Sequence, residues 1–254
     1  MIKYILIAVL LLFAAPVSAA YEPPSNDIIV FADESGGLRA PISEHAKVPV
    51  FCLYKSGRLI FSQTDSSGFI YLMDTTLSES QIEEVKKLFD SSEEWNDAYE
   101  DCPIKDMPAF NITFNIDGNP RKIYIRGVDY AIKNKTIPQK LTELYRFLSF
   151  YSNEDAKEYK EETIFLYAKQ VDDPRNNKNS KIFRWRSRIE LSSITSEPSL
   201  LGISAMKLSG KQAKGVLGNL EMKTPYKTAQ LPVFFKQGNN FYSLGYRPLL
   251  PHEL

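Results

Sequence analysis

Lys181-Ile-Phe-Arg-Trp-Arg-Ser-Arg188 gathers Arg184, Arg186 and Arg188 around Trp185. Guanidinium groups beside an indole make a platform for an anionic partner, a lipid head group or a cell-wall polymer. The same residues alternate. Phe183, Trp185, Ile189 and Leu191 fall on one side of an extended segment and the arginines on the other, as in a half-buried strand. Ser204-Ala-Met-Lys207 has the Ser-x-x-Lys spacing at which a lysine one helical turn away takes the proton of a nucleophilic serine. No Lys-Thr-Gly or Ser-Asp-Asn element accompanies it, so the match carries no hydrolase assignment. Glu93, Glu94, Glu100 and Asp101 crowd the segment around Trp95 and Tyr99, where a pair of carboxylates can act as general acid and base if burial separates their proton affinities. The competing reading is a solvated helix end.

Nucleophilic triads and metal sites find little material. The two histidines are His45 and His252, one near the start of the mature chain and one near its end, and neither lies at ligand spacing from a cysteine. There is no phosphate-binding glycine loop or dinucleotide fingerprint, so no cofactor and no metal is expected. Asn111-Ile-Thr and Asn134-Lys-Thr fit the glycosylation acceptor pattern, which matters only in a eukaryotic host. The sole cysteines are Cys52 and Cys102; in an oxidising compartment an even pair predicts one disulfide between them.

That compartment is indicated by residues 1–20, MIKYILIAVLLLFAAPVSAA. A short positive start, an apolar run from Tyr4 to Ala15 and small residues before a cleavage point make an export signal. The run stops at Pro16, short of the roughly 20 residues that cross a bilayer. A secreted or periplasmic protein with no stable membrane span after cleavage is expected. The chain balances 31 basic against 31 acidic residues, which gives no overall field for nucleic acid. A 43% hydrophobic fraction with 14 Tyr and 15 Phe is ample for a packed core.

The elements that must position these residues follow from periodicity. Residues 21–47 read as an extended lead-in with one short edge strand, Ile28 to Phe31, and the ordered body begins near Val48. Three hairpins are signalled, turning at Lys55-Ser56-Gly57, Asp117-Gly118 and Gly238-Asn239. Three helices accompany them. Ser78 and Gln81 form a capping box ahead of Ile82, Val85 and Phe89. Thr136 and Gln139 stand in the same relation ahead of Leu141, Leu144 and Leu148. Leu208-Ser-Gly-Lys-Gln212 repeats the Leu-Ser-x-x-Gln of 77–81 ahead of Ala213, Val216, Leu217 and Leu220. The class is α+β, antiparallel β-hairpins with amphipathic helices packed on one face. Regions 48–171 and 172–254 are divided by the polar stretch Asp172 to Lys181, a solvated loop between two domains or merely between two strands.

PVFCLYKSGRLIF (49–61) followed by LSESQIEEVKKLF (77–89), then RWRSRIELS (184–192), LSGKQAKGVL (208–217) and GYRPLLPHE (245–253), taken together, resemble a group of uncharacterised secreted or lipid-anchored bacterial proteins. The Arg-Pro-Leu-Leu-Pro ending is the most distinctive of these segments. The resemblance implies export and this layout, and it brings no activity; no cysteine follows the signal as in lipid-anchored members. In the ending itself, two prolines bracket Leu249-Leu250 and hold an extended backbone that can dock over the core, with Arg247 reaching an acidic or carbonyl partner. The alternative is a surface for a partner protein. The expected role is that of a non-catalytic binding or structural protein of the cell envelope. A carboxylate-pair envelope hydrolase and an anionic-surface binder using the arginine strand are the alternatives.

Overall fold

The computed structural model describes residues 26–37, 41–64, 66, 70–116, 118–160, 162–176, 180–194, 203–220 and 233–254. Residues 1–20, expected from the sequence to be an export signal, lie outside them. The first part of the chain runs β1 (Ile28–Gly36), α1 (Pro41–His45), β2 (Phe51–Tyr54), β3 (Arg58–Thr64), β4 (Ile70–Thr76), α2 (Glu79–Lys87), β5 (Ala98–Tyr99), β6 (Pro108–Ile116), β7 (Asn119–Arg126), α3 (Val128–Lys133), α4 (Gln139–Ser149) and β8 (Lys157–Glu158). The remainder is β9 (Thr163–Val171), β10 (Lys181–Arg184), β11 (Ser204–Ser209), α5 (Gly210–Leu220), β12 (Val233–Gln237) and β13 (Asn240–Pro248). The class is α+β, in two sheets ordered β5-β7-β6-β1-β2-β3-β4-β8 and β10-β12-β13-β9-β11. Pairing is antiparallel except for β5 with β7 and β10 with β12.

All three signalled hairpins form, as β2–β3, β6–β7 and β12–β13. At the first, Gly57 has φ +83°, and a Cβ there would stand 2.7 Å from the Leu77 carbonyl oxygen. The turn is therefore shaped both by a left-handed backbone and by the close approach of the segment entering α2. The α2 capping box is present, with the Gln81 amide donating to Ser78 Oγ and the Ser78 amide to Gln81 Oε1. Strand alternation sends Val30, Ala32, Phe51, Leu53, Leu59, Phe61, Phe110 and Ile112 to one face of the first sheet. There α2, α3 and α4 bury Val85, Ala131, Leu141, Leu144 and Leu148 against them. The opposite face carries a second cluster of Ile28, Phe31, Cys52, Tyr54, Ile60, Leu72 and Tyr159, which Leu250 from the C-terminal segment completes. In the second sheet, α5 covers Leu166, Leu208, Phe235 and Tyr242 with Ala213, Val216 and Leu220.

Several expectations are corrected. Ile28 to Phe31 is no edge strand: β1 is nine residues long, buried along most of its length, and lies in the middle of the sheet between β2 and β6. Asp33 conceals this in the sequence, because an acid reads as solvent-facing. In the fold Asp33 is 5% exposed, receives a hydrogen bond from Asn111 Nδ2 at 2.8 Å and pairs with Lys47 at 3.1 Å, as a buried carboxylate must. Asn111, one of the two acceptor-pattern asparagines, is thereby engaged inside the sheet. Asp172 to Lys181, for which the sequence leaves both a domain link and a strand link open, leads from β9 to β10, two strands of the second sheet. Pro138 occupies the position before α4 without a side-chain cap, while Gln139 Nε2 donates to Glu143. Ser209 is the last residue of β11, ahead of α5.

Cys52 and Cys102 are both free and both buried, so the expected disulfide is not formed. Cys52 lies in β2, and Cys102 packs on Gly127 at the end of β7. With β1 and β6 lying between those strands, three spacings of about 4.8 Å give roughly 14 Å. A disulfide needs Cα atoms within about 7 Å.

Candidate functional site

The arginine segment is built on the edge of the second sheet. Register fixes it: Phe183 lies beside Phe235 and Arg184 beside Lys236. Regular strand pairing ends at Arg184, although the Trp185 amide still donates to the Lys236 carbonyl at 2.9 Å. Trp185, 6% exposed, packs edge-on against Phe235, and its Nε1 donates to the Ile189 carbonyl at 2.8 Å. Gln237 Nε2 donates to the same carbonyl, and its Oε1 accepts from the Leu191 amide at 2.6 Å. These bonds pin the bend at 187–189 onto β12. Phe183, Trp185, Ile189 and Leu191 join the core beneath α5 while Arg184, Arg186 and Arg188 are exposed. Among the described residues no carboxylate is paired with any of the three.

The face of the second sheet away from α5 is divided in two. One end is roofed by α1, whose Ile42 lies with the following Ala46 on Gly245 and whose His45 ring stands 5.8 Å from that of Tyr167. The other end continues the basic surface. Lys236, beside Arg184, lies over the Phe241 ring at 5.4 Å, with Arg175 at 5.7 Å from the same ring. Lys169 follows one row further in, opposite Ser243. Arg175 is held by Asp173. Periodicity alone does not disclose that Lys236 and Lys169 belong with Arg184, because strand order decides it.

Arg247 is placed elsewhere. Its Nη1 and Nη2 donate to Glu253 Oε2 and Oε1, each at 2.6 Å, and its guanidinium lies 5.2 Å from the centre of the Phe165 ring. Burial opposes the charge on Arg247, and the Glu253 carboxylate outweighs that cost and raises its proton affinity. Burial likewise opposes ionisation of Glu253, but the Arg247 hydrogen bonds and charge, with the Leu250 amide, hold it below the usual carboxylate range. Leu249 and Leu250 are 0% and 3% exposed, so the ending is docked inward. The Leu249 amide donates to Thr163 in the second sheet at 3.0 Å, and Tyr159 Oη donates to the Leu249 carbonyl at 2.5 Å. His252 Nδ1 meets Tyr54 Oη of the first sheet at 2.8 Å. Lys207 Nζ donates to the Glu253 carbonyl at 3.3 Å. Tyr54 and His252, 198 positions apart, offer no local signal by which a sequence reading can join them.

The hydrolytic constellations are not assembled. Ser204 and Lys207 lie in β11, where residues three apart point to opposite faces, so the helical proximity that Ser-x-x-Lys chemistry needs is lost. Glu93, Glu94, Glu100 and Asp101 are all exposed. The depression beside them is shallow and lined by Asp97, Pro120, Arg121, Lys122 and Tyr124, where Arg121 already pairs with Asp97. Among the described residues no cluster of three metal-ligating side chains occurs, and no helix is long and apolar enough to cross a membrane. The chain matches no family model, no curated protein and no solved structure.

Proposed function

We propose that this chain is an exported protein of the cell envelope that acts by binding and not by turnover, and that it docks on an anionic surface through Arg184, Arg186 and Arg188. One observation carries the reading: three exposed guanidinium groups project from a segment whose other side is locked to the core by Trp185 and Gln237. A cationic side chain held on a rigid edge loses less conformational entropy on contact than one on a free loop. Lys236 and Lys169 extend the same surface, so the positive charge is concentrated in a chain whose overall balance is neutral. Export is supported by the composition of residues 1–20.

Sedimentation with phosphatidylglycerol-containing vesicles, neutral vesicles and isolated wall fragments, at low and high salt, tests this reading. Binding to an anionic target that fades at high salt is expected. At about 1 kcal/mol per surface arginine, R184Q/R186Q/R188Q weakens it roughly a hundredfold. Binding that ignores salt, or survives the triple substitution intact, disposes of the proposal.

A further inference from the structure

The C-terminal segment touches both sheets and carries a histidine. The tail crosses from β13, in the second sheet, onto the outer face of the first, where Leu250 closes the cluster containing Cys52, Tyr54 and Tyr159. Its attachments come from both sides: Arg247, Thr163 and Lys207 from the second sheet's strands, Tyr54 and Tyr159 from the first part of the chain. We propose that residues 249–253 are an acid-released latch: protonation of His252 frees the segment from the first sheet and uncovers the apolar cluster that holds Cys52.

Geometry makes His252 the trigger. Its Nδ1 faces Tyr54 Oη, and its ring lies 5.9 Å from the tyrosine ring at the edge of an apolar cluster. Tyr54 shares its strand face with Cys52, one pleat away. The charged groups around it are Arg247 and Glu253, bound to each other, and Lys207, whose ammonium holds the Glu253 carbonyl. Arg58, paired with Asp74, lies over the Tyr159 ring beyond. A tyrosine hydroxyl can donate or accept, so the bond to Nδ1 survives protonation; what an imidazolium loses is its water, beside a fixed guanidinium. Burial, reinforced by Arg247, accordingly lowers the proton affinity of His252 below its ordinary value near 6.5, against the opposing pull of Glu253.

The docked tail binds the proton less readily than the released tail, so the contribution of His252 to docking is complete above about pH 6.5 and is lost as pH falls below it. Glu253, held below its ordinary value near 4.5, contributes in the same direction at lower pH.

Cys52 supplies the readout. Burial pushes its thiol up to about 12, so it is inert while docked, and Cys102 on Gly127 is a buried thiol remote from the tail. The purified protein is exposed to a dipyridyl disulfide, which reacts with thiols in mild acid, and the labelling of each cysteine is followed by peptide mass. From about pH 7.5 to about pH 5 the Cys52 rate relative to Cys102 is expected to rise severalfold, because the released tail takes up the proton that the docked tail resists. In H252F that rise is abolished. A flat ratio in the native chain overturns the latch whether or not the variant folds. Equal acceleration of both thiols signals global unfolding and overturns it too, and an undiminished rise in H252F overturns His252 as the trigger.

Discussion

Single residues in this protein act mainly through what surrounds them in space. Gly57 is the clearest case, since its positive φ and its 2.7 Å clearance from Leu77 both forbid a side chain. Gly57→Ala is expected to lower stability by about 3 kcal/mol in urea denaturation, combining left-handed strain with overpacking; a loss below about 1 kcal/mol shows that the turn relaxes. The glycine was legible as a turn, because a glycine between two β-rich runs has few other uses. The length of β1 was not legible, because the acid character of Asp33 is visible in the sequence and its partners, Asn111 and Lys47, are not. The cysteines misled for a related reason. Their even number suggested pairing, but proximity is a property of strand order, and three strand spacings separate them.

Elements whose signals are local formed where their sequences indicated. Helix α2 is specified by its own cap: Ser78 and Gln81 satisfy backbone donors that the first turn leaves unpaired. Ser78→Ala is expected to cost about 1 kcal/mol, seen as a lowered denaturation midpoint with an unchanged slope; no shift means that packing of Val85 and Phe89 alone holds the helix. The arginine segment shows the limit of the same logic. Alternation correctly placed Phe183 and Trp185 inward and the arginines outward, yet the regular strand stops at Arg184, because Trp185 and Gln237 both turn to the Ile189 carbonyl. The hydrogen bond from Gln237 to a residue 48 positions away is invisible to periodicity.

At the scale of the whole molecule, two sheets with separate cores are joined by α1, lying on β9 and β13, and by the C-terminal segment. Each core holds one tryptophan, Trp95 in the first and Trp185 in the second, so fluorescence of single-tryptophan variants follows each separately. In the native chain both probes are expected to report one urea midpoint. Arg247→Gln leaves Glu253 without its cation at a site where the pair is 17% and 23% exposed. It is expected to cost about 2–3 kcal/mol, less than the roughly 3–5 kcal/mol of a fully buried pair because this one is partly exposed, and to separate the two midpoints. Coincident midpoints in the variant place the coupling in α1. What the sequence determined by itself was the class, the hairpin turns, the capped helix α2 and the inward sides of the three signalled helices and of the arginine segment, all set by interactions within a few residues. Tertiary structure alone decided that β1 is central, that the cysteines stay apart, that Lys236 and Lys169 join Arg184, and that His252 meets Tyr54. Each of those depends on strand order and on chain segments that become neighbours only when the sheets assemble.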